Sequence, residues 1–210
     1  MLQFFISSTF EDMVGEREIL HQEIIPKVNE YAKQMGEYVE CTDLRWGVDT
    51  DHMGRILEVC LSQIKDPCNY NMLVFVGKNY GSVPDETDLI QWQWKKEAGD
   101  VELEDYAISV TQLEIEYGIF VEHQEAENAI KIVLFRTEND SYRNAYSQDK
   151  KSEEKQVVLL DRLKKMKDLC QISYSPDWNG ERAIGLDKMK KQLVNSLKHL
   201  IEEKYDKRKK

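Results

Sequence analysis

The sequence predicts an α/β fold, a five-stranded parallel sheet with helices packed on both of its faces. Three observations point there. Short β-rich apolar runs alternate with longer amphipathic stretches along the chain. Runs such as Met72-Leu73-Val74-Phe75-Val76 are apolar at every position, as strands covered on both faces are. Strand and helix also follow one another in turn, the order that gives parallel strands and right-handed crossovers.

Each element has its own signal. Strands are expected at Leu2–Ser7, Tyr38–Leu44, Met72–Gly77, Ile130–Phe135 and Cys170–Tyr174. The first helix should follow the cap residues Ser8-Thr9, with Glu11 and Asp12 favouring its positive end. It should run to about Gln34, bent by Pro26 and ended by Gly36. Further helices are expected at Arg55–Lys65, Val110–His123 and Glu153–Leu169. The last, Leu186–Tyr205, carries Leu186, Met189, Leu193, Leu197, Leu200 and Ile201 on one stripe. Together they describe a flavodoxin-like three-layer sandwich, one domain over residues 1–203. Residues 82–108, acidic and aromatic with Trp92 and Trp94, and residues 137–152, polar and charged, read as insertions. Residues 204–210 read as a basic tail or a linker to further domains.

Composition narrows the function. In 210 residues, 29 Lys and Arg against 39 Asp and Glu give a net charge of −10. That balance disfavours nucleic acid or an anionic membrane as partner, since both need a basic footprint. No apolar run approaches a membrane span, and the N-terminus lacks the basic and apolar regions of a signal peptide. Four scattered cysteines without CxxC, and four dispersed histidines, argue for reduced thiols in a cytoplasmic protein and against a metal site. There is no GxGxxG, P-loop or Gly-x-Ser-x-Gly motif.

In a doubly wound sheet, ligands bind beyond the carboxyl ends of the strands, where strand order reverses. Four segments reach that edge. Ser7-Ser8-Thr9, at the expected helix start, offers hydroxyls and backbone N–H groups to an anion, or simply caps the helix. In Asp43-Leu44-Arg45-Trp46-Gly47, Arg45 suits a phosphate and Trp46 a stacked ring; equally, Arg45 pairs with Asp43 and Trp46 packs beneath the loop. In Gly77-Lys78-Asn79-Tyr80-Gly81, the glycines read as a turn and Tyr80 as a pocket wall. On the helix from Val110, the residues Val110, Leu113, Tyr117 and Phe120 form an apolar stripe. Glu114 flanks that stripe and Glu116 lies nearer the opposite face, while Gly118 permits a close approach to other backbone. Glu114 is then either a partly desolvated acid, base or ribose ligand, or surface decoration.

Taken jointly, the segments resemble a TIR-like domain family. The resemblance is carried by Phe4-Phe5-Ile6-Ser7-Ser8-Thr9-Phe10-Glu11-Asp12-Met13, Glu16-Arg17-Glu18, Asp43 to Val48, Leu57 to Leu61, Gly77 to Gly81 and Ser109 to Glu114. The family is a domain-of-unknown-function module at the N-termini of large NACHT, WD-repeat and TPR proteins, among them telomerase-associated and nephrocystin-like proteins. The resemblance covers about residues 2–136 and implies a TIR-like version of the sandwich. TIR relatives are self-associating signalling scaffolds or enzymes that cleave NAD at the nicotinamide–ribose bond. Their pattern Trp-Cys-x-x-Glu-Leu-x-x-Ala has its spacing here in Val110 to Gly118, which gives Glu114 the catalytic position. Val110 replaces the aromatic residue of that pattern.

The resemblance therefore implies an NAD glycohydrolase, with NAD as substrate rather than cofactor, acting as the effector or signalling domain of a larger immune or NTPase-linked protein. Glu114 would serve the ribose, Ser7, Ser8, Thr9 and Arg45 the pyrophosphate, and Trp46 or Tyr80 a ring. Self-association or a further domain of the same protein is the expected partner. The alternatives are a non-enzymatic, self-associating interaction module and a nucleotide-processing enzyme like the nucleoside deoxyribosyltransferases.

Overall fold

The computed structural model describes residues 1–44, 59–60, 62–63, 66, 70–84, 108–121, 129–137 and 148–208. Five strands build the main sheet: β1 (Leu2–Ser7), β2 (Val39–Thr42), β3 (Asn71–Val76), β4 (Lys131–Arg136) and β5 (Cys170–Tyr174). All are parallel, in the order β2-β1-β3-β4-β5. This is the flavodoxin-like order, and it reverses between β1 and β3.

Alternation along the strands divides the core in two. Phe4, Ile6, Leu73, Phe75, Ile132, Leu134 and Ile172 point to one face. There they meet Leu20, Ile24 and Val28 of the first helical segment and Met189, Leu193 and Leu197 of the last. Phe5, Met72, Val74, Val76, Val133 and Phe135 point to the other, against Leu113, Ile115, Tyr117, Leu159 and Leu163. Every residue of β3 is buried, as its unbroken apolar run requires.

The helices are α1 (Val14–Ile19), α2 (Ile25–Ala32), α3 (Val110–Ile115), α4 (Lys150–Lys165) and α5 (Asp187–Arg208). A π turn over Leu20–Ile24 joins α1 to α2 just before Pro26, which has no N–H to return to the preceding turn. Gly36, at φ 70°, ends the run in the left-handed region.

Several boundaries move from expectation. The first helix begins at Val14 after Met13, whose side chain makes no capping bond, so Ser8 and Thr9 do not cap it. Helix α3 ends in a second π turn, Glu116–Phe120, short of His123. Asp149 caps α4 by accepting from the Ser152 N–H at 3.0 Å, so Lys150 to Ser152 are helix rather than insert. Residues 204–208 belong to α5 rather than to a loose tail. On α5, Lys188 and Lys191 are exposed. Lys190 instead bridges Glu23 at 2.7 Å and Asp187 at 2.9 Å. A two-stranded hairpin, β6 (Asp177–Trp178) with β7 (Ala183–Ile184), was not foreseen. The expected helix Arg55–Lys65, apart from a few positions, the segment with Trp92 and Trp94, and most of both insertions lie outside the described residues.

Among the described residues, no helix is long and apolar enough to cross a membrane.

Candidate site at the carboxyl edge of the sheet

Ser7 is the last residue of β1 and stands opposite Val74 of β3, at the reversal of strand order. Its hydroxyl donates to Oε2 of Glu114 on α3 at 2.6 Å. Glu114 is only 4% exposed. Burial pushes its carboxyl up to about 7, against the opposing pull of the Ser7 hydroxyl, the Arg17 charge and a Cys60 hydrogen bond. The Asp43 charge pushes it further up. Cys60 is itself fully buried, and its thiol is held in the neutral form by burial and by the adjacent Glu114. Ser7, expected to face a pyrophosphate, instead gives its hydroxyl to Glu114, the residue expected to serve the ribose. Of the two readings for Glu114, the surface one is excluded.

Beside this contact lies a buried cation. Arg17 of α1 donates through Nε to the Ser8 hydroxyl at 2.7 Å and through a terminal nitrogen to the Ser8 carbonyl at 3.2 Å. Its other terminal nitrogen pairs with Asp43, just beyond β2. The second Asp43 oxygen lies 2.8 Å from Nε2 of His21, which is 33% exposed. Asp43 thus pairs with Arg17 and His21; Arg45 and Trp46 lie outside the described residues.

A second ionic cluster occupies the ends of β4 and β5. Arg136 donates to Asp12 Oδ2 at 2.6 Å, to the Asp12 carbonyl at 2.7 Å and to Glu16 Oε1 at 3.1 Å. The Tyr174 hydroxyl donates to the same Glu16 oxygen at 3.0 Å. Burial raises the Glu16 carboxyl despite Arg136, and burial together with Glu16 raises the Tyr174 phenol. Thr9 donates to Asp12, and Asn79 does so at 3.2 Å. Thr9, expected to face a pyrophosphate, is accordingly spent on loop structure.

The β3 loop is similarly fixed. Tyr80 is buried and its hydroxyl donates to Gln112 of α3, so its ring forms part of the wall and presents no open face for stacking. Gln148 and Gln156 hold the backbone of Tyr80, Lys78 and Gly77 at 2.9, 2.8 and 2.6 Å. Gly81, at φ 90°, lies where a Cβ would be 3.1 Å from Thr9 Cγ2 and 3.2 Å from Thr111 Oγ1. A Cβ on Gly118 would overlap the buried Met72 side chain, so the close neighbour is a side chain rather than the backbone that its position suggested.

Glu116 departs from expectation. It is buried and takes a two-pronged ion pair from Arg162 of α4, with a 2.9 Å bond to Oε2. Arg162 also lies 4.0 Å from the centre of the Phe120 ring. Arg162 of α4 thus answers this side of the helix, which a single-helix period does not reveal.

Sequence reasoning placed Asp12 in the first turn of a helix that in fact begins only at Val14, and assigned no site role to Arg17, Glu16, Cys60 or Arg136. One signal was present: Arg17 falls on the spacing of Met13, Leu20 and Ile24, a charge on a core stripe.

A family model described as "Domain of unknown function (DUF4062)" matches residues 3–181. The chain belongs to the DUF4062 family. Mouse telomerase protein component 1 is 28% identical over 197 residues, 87% of this chain and 7% of that protein. The human NACHT and WD repeat domain-containing protein 2 is 29% identical over 104 residues, 44% of this chain and 6% of that protein. A TPR repeat-containing protein of Dictyostelium discoideum is 30% identical over 82 residues, 38% of this chain and 5% of that protein. This DUF4062 chain therefore spans a small fraction of the length of its multidomain relatives.

Proposed function

We propose that this DUF4062 domain is TIR-like and cleaves NAD at the nicotinamide–ribose bond, as a cytoplasmic effector or signalling domain. The observation that carries the reading is Glu114, a buried carboxyl held by the Ser7 hydroxyl at the strand-order reversal. Among the described residues it has no ion-pair partner, so its charge is available to a ligand. The reaction breaks the C1′–N bond with the electron pair leaving on nicotinamide. Water then adds to the ribosyl cation and gives up a proton. The leaving group departs neutral and needs no acid; the protein's task is to stabilise positive charge developing on the ribose. An ionised Glu114 does that. Ser7 orients it; the Ser8 hydroxyl, held between Arg17 and the Thr9 carbonyl, shapes the loop after β1, and Arg45 is the residue proposed for the pyrophosphate. Free thiols at Cys41, Cys60 and Cys170 suit a reducing compartment.

A second reading, a self-associating interaction module, is favoured by one observation. Val157 and Val158 stand side by side on α4 at 65% and 59% exposure.

The test is nicotinamide release from NAD by the purified domain, at low and high protein concentration, beside Glu114→Gln. Release should rise as pH passes through about 7, where Glu114 ionises. It should fall by about 100-fold or more in the variant. No release at any concentration across the neutral range overturns the hydrolase reading and leaves the interaction module.

A further inference from the structure

Arg17 would, alone, hold a neighbouring carboxyl firmly ionised, because an unpaired buried cation favours any anion near it. It is not alone. Asp43 neutralises it, His21 fixes the other Asp43 oxygen, and the Nε and remaining terminal nitrogen of Arg17 are spent on Ser8. The groups that face Glu114 among the described residues are Ser7 from β1, Arg17 from α1, Asp43 from beyond β2, and Cys60. Two of these are neutral donors and two carry opposite charges.

We propose that the buried Arg17–Asp43 pair is the positioning element of the Glu114 site, fixing Ser8 and the chain beyond β2 while balancing the charge felt by Glu114. Arg17 favours the carboxylate and Asp43 opposes it, so the pair leaves Glu114 able to change charge near neutrality. The inference rests on Glu114 as the working group of the proposed reaction. It adds two residues that touch no substrate and act through Ser8 and through Glu114.

The pair also explains its own location. Ser8 directly follows the residue that donates to Glu114, so a displacement of Arg17 is passed to the Ser7–Glu114 contact through one peptide unit. Asp43 directly follows β2, so the same ion pair fixes where the chain leaves the sheet. An ion pair is more directional than an apolar contact, and burial of both partners removes water as a competitor.

The experiment reads Glu114 directly. The carboxyl carbon is titrated by NMR in protein labelled at glutamate and assigned through Glu114→Gln. The wild type should titrate near 7. Asp43→Asn should move the midpoint down by about one pH unit or more, and Arg17→Gln should move it up by a similar amount. Arg17→Lys, which keeps the cation, should stay closer to wild type than Arg17→Gln. A merely structural pair predicts loss of stability without opposite displacements. Midpoints that move the same way, or do not move in proteins whose circular dichroism is native, overturn the proposal. If Arg17→Gln does not fold, Asp43→Asn beside Arg17→Lys decides alone, and an unmoved midpoint in Asp43→Asn is the refuting result. No NAD turnover is involved, so failure here and failure of the hydrolase reading are separate results.

Discussion

Replacing Glu114 by Gln should stabilise the protein, but only where Glu114 would be charged. The unfolded chain loses the Glu114 proton near 4.5, whereas the folded chain keeps it to about 7. Between those values the unfolded state binds fewer protons, so folding stability falls as pH rises, by about 1.4 kcal/mol per pH unit. The contribution is fully present below 4.5 and lost once pH passes about 7. Over that span the cost of ionising the buried group is about 3 kcal/mol, taken as a ceiling. Gln escapes this cost and still offers an oxygen to the Ser7 hydroxyl, while its amide nitrogen meets Cys60. The two proteins should therefore have similar urea midpoints at about pH 4.5, and Glu114→Gln should be about 2–3 kcal/mol more stable at about pH 8. Glu16, also raised by burial, is common to both proteins and cancels in the comparison. A difference that does not grow with pH, or a less stable variant at the higher pH, would refute the assignment of Glu114 as a buried, unpaired acid. Such a gain in stability on losing an active group is the ordinary mark of a functional position.

Two further substitutions test the frame around the site. A Cβ on Gly15 would overlap the carbonyl oxygen of Ala183, a backbone atom that cannot rotate away. Gly15→Ala should therefore lower stability by about 1–3 kcal/mol in urea melts, and a neutral result would mean that α1 and β7 are not packed this closely. Arg136→Met removes the cation shared by Asp12 and Glu16 and should cost about 3–5 kcal/mol near neutral pH, less in acid, where Glu16 holds its proton. Equal losses at both pH values would show that Glu16 is not responsible.

The sheet was legible because its signal is local. Five apolar runs, each near the length of a strand, fell within a residue or two of β1, β2, β3, β4 and β5. The stripe on α5 was legible for the same reason: Met189, Leu193 and Leu197 repeat at helical spacing and all reach the core. What failed depended on neighbours. The buried state of Glu116 requires α4 to lie across α3, and the burial of Tyr80 requires Gln112 to meet it. The hairpin of β6 and β7 has two residues per strand, too few for any period to register. Ser7 and Glu114 are 107 positions apart. The resemblance, and the rule that parallel strands gather their carboxyl ends, put both at one edge of the sheet in separate roles; their direct hydrogen bond was not foreseen, and spacing by itself left Glu114 open to a surface reading.

The two carboxylates of one helix, two residues apart, make the strongest contrast in the molecule. Glu116 is buried and answered by Arg162 at both oxygens, with Gln112 at 3.1 Å as a third donor. It ties α3 to α4, and nothing is left over. Glu114 is equally buried but, among the described residues, receives only a serine hydroxyl and a cysteine thiol, while the nearby Arg17 is engaged by Ser8 and Asp43. A structural acid in such a place gains stability from a direct cation, and α1 already carries one to its side. Here that cation is turned to a different carboxylate. The arrangement forfeits stability at neutral pH to keep a carboxyl uncommitted at the one point of the sheet where strand order reverses, which is what a charge-stabilising group needs and what packing alone does not explain.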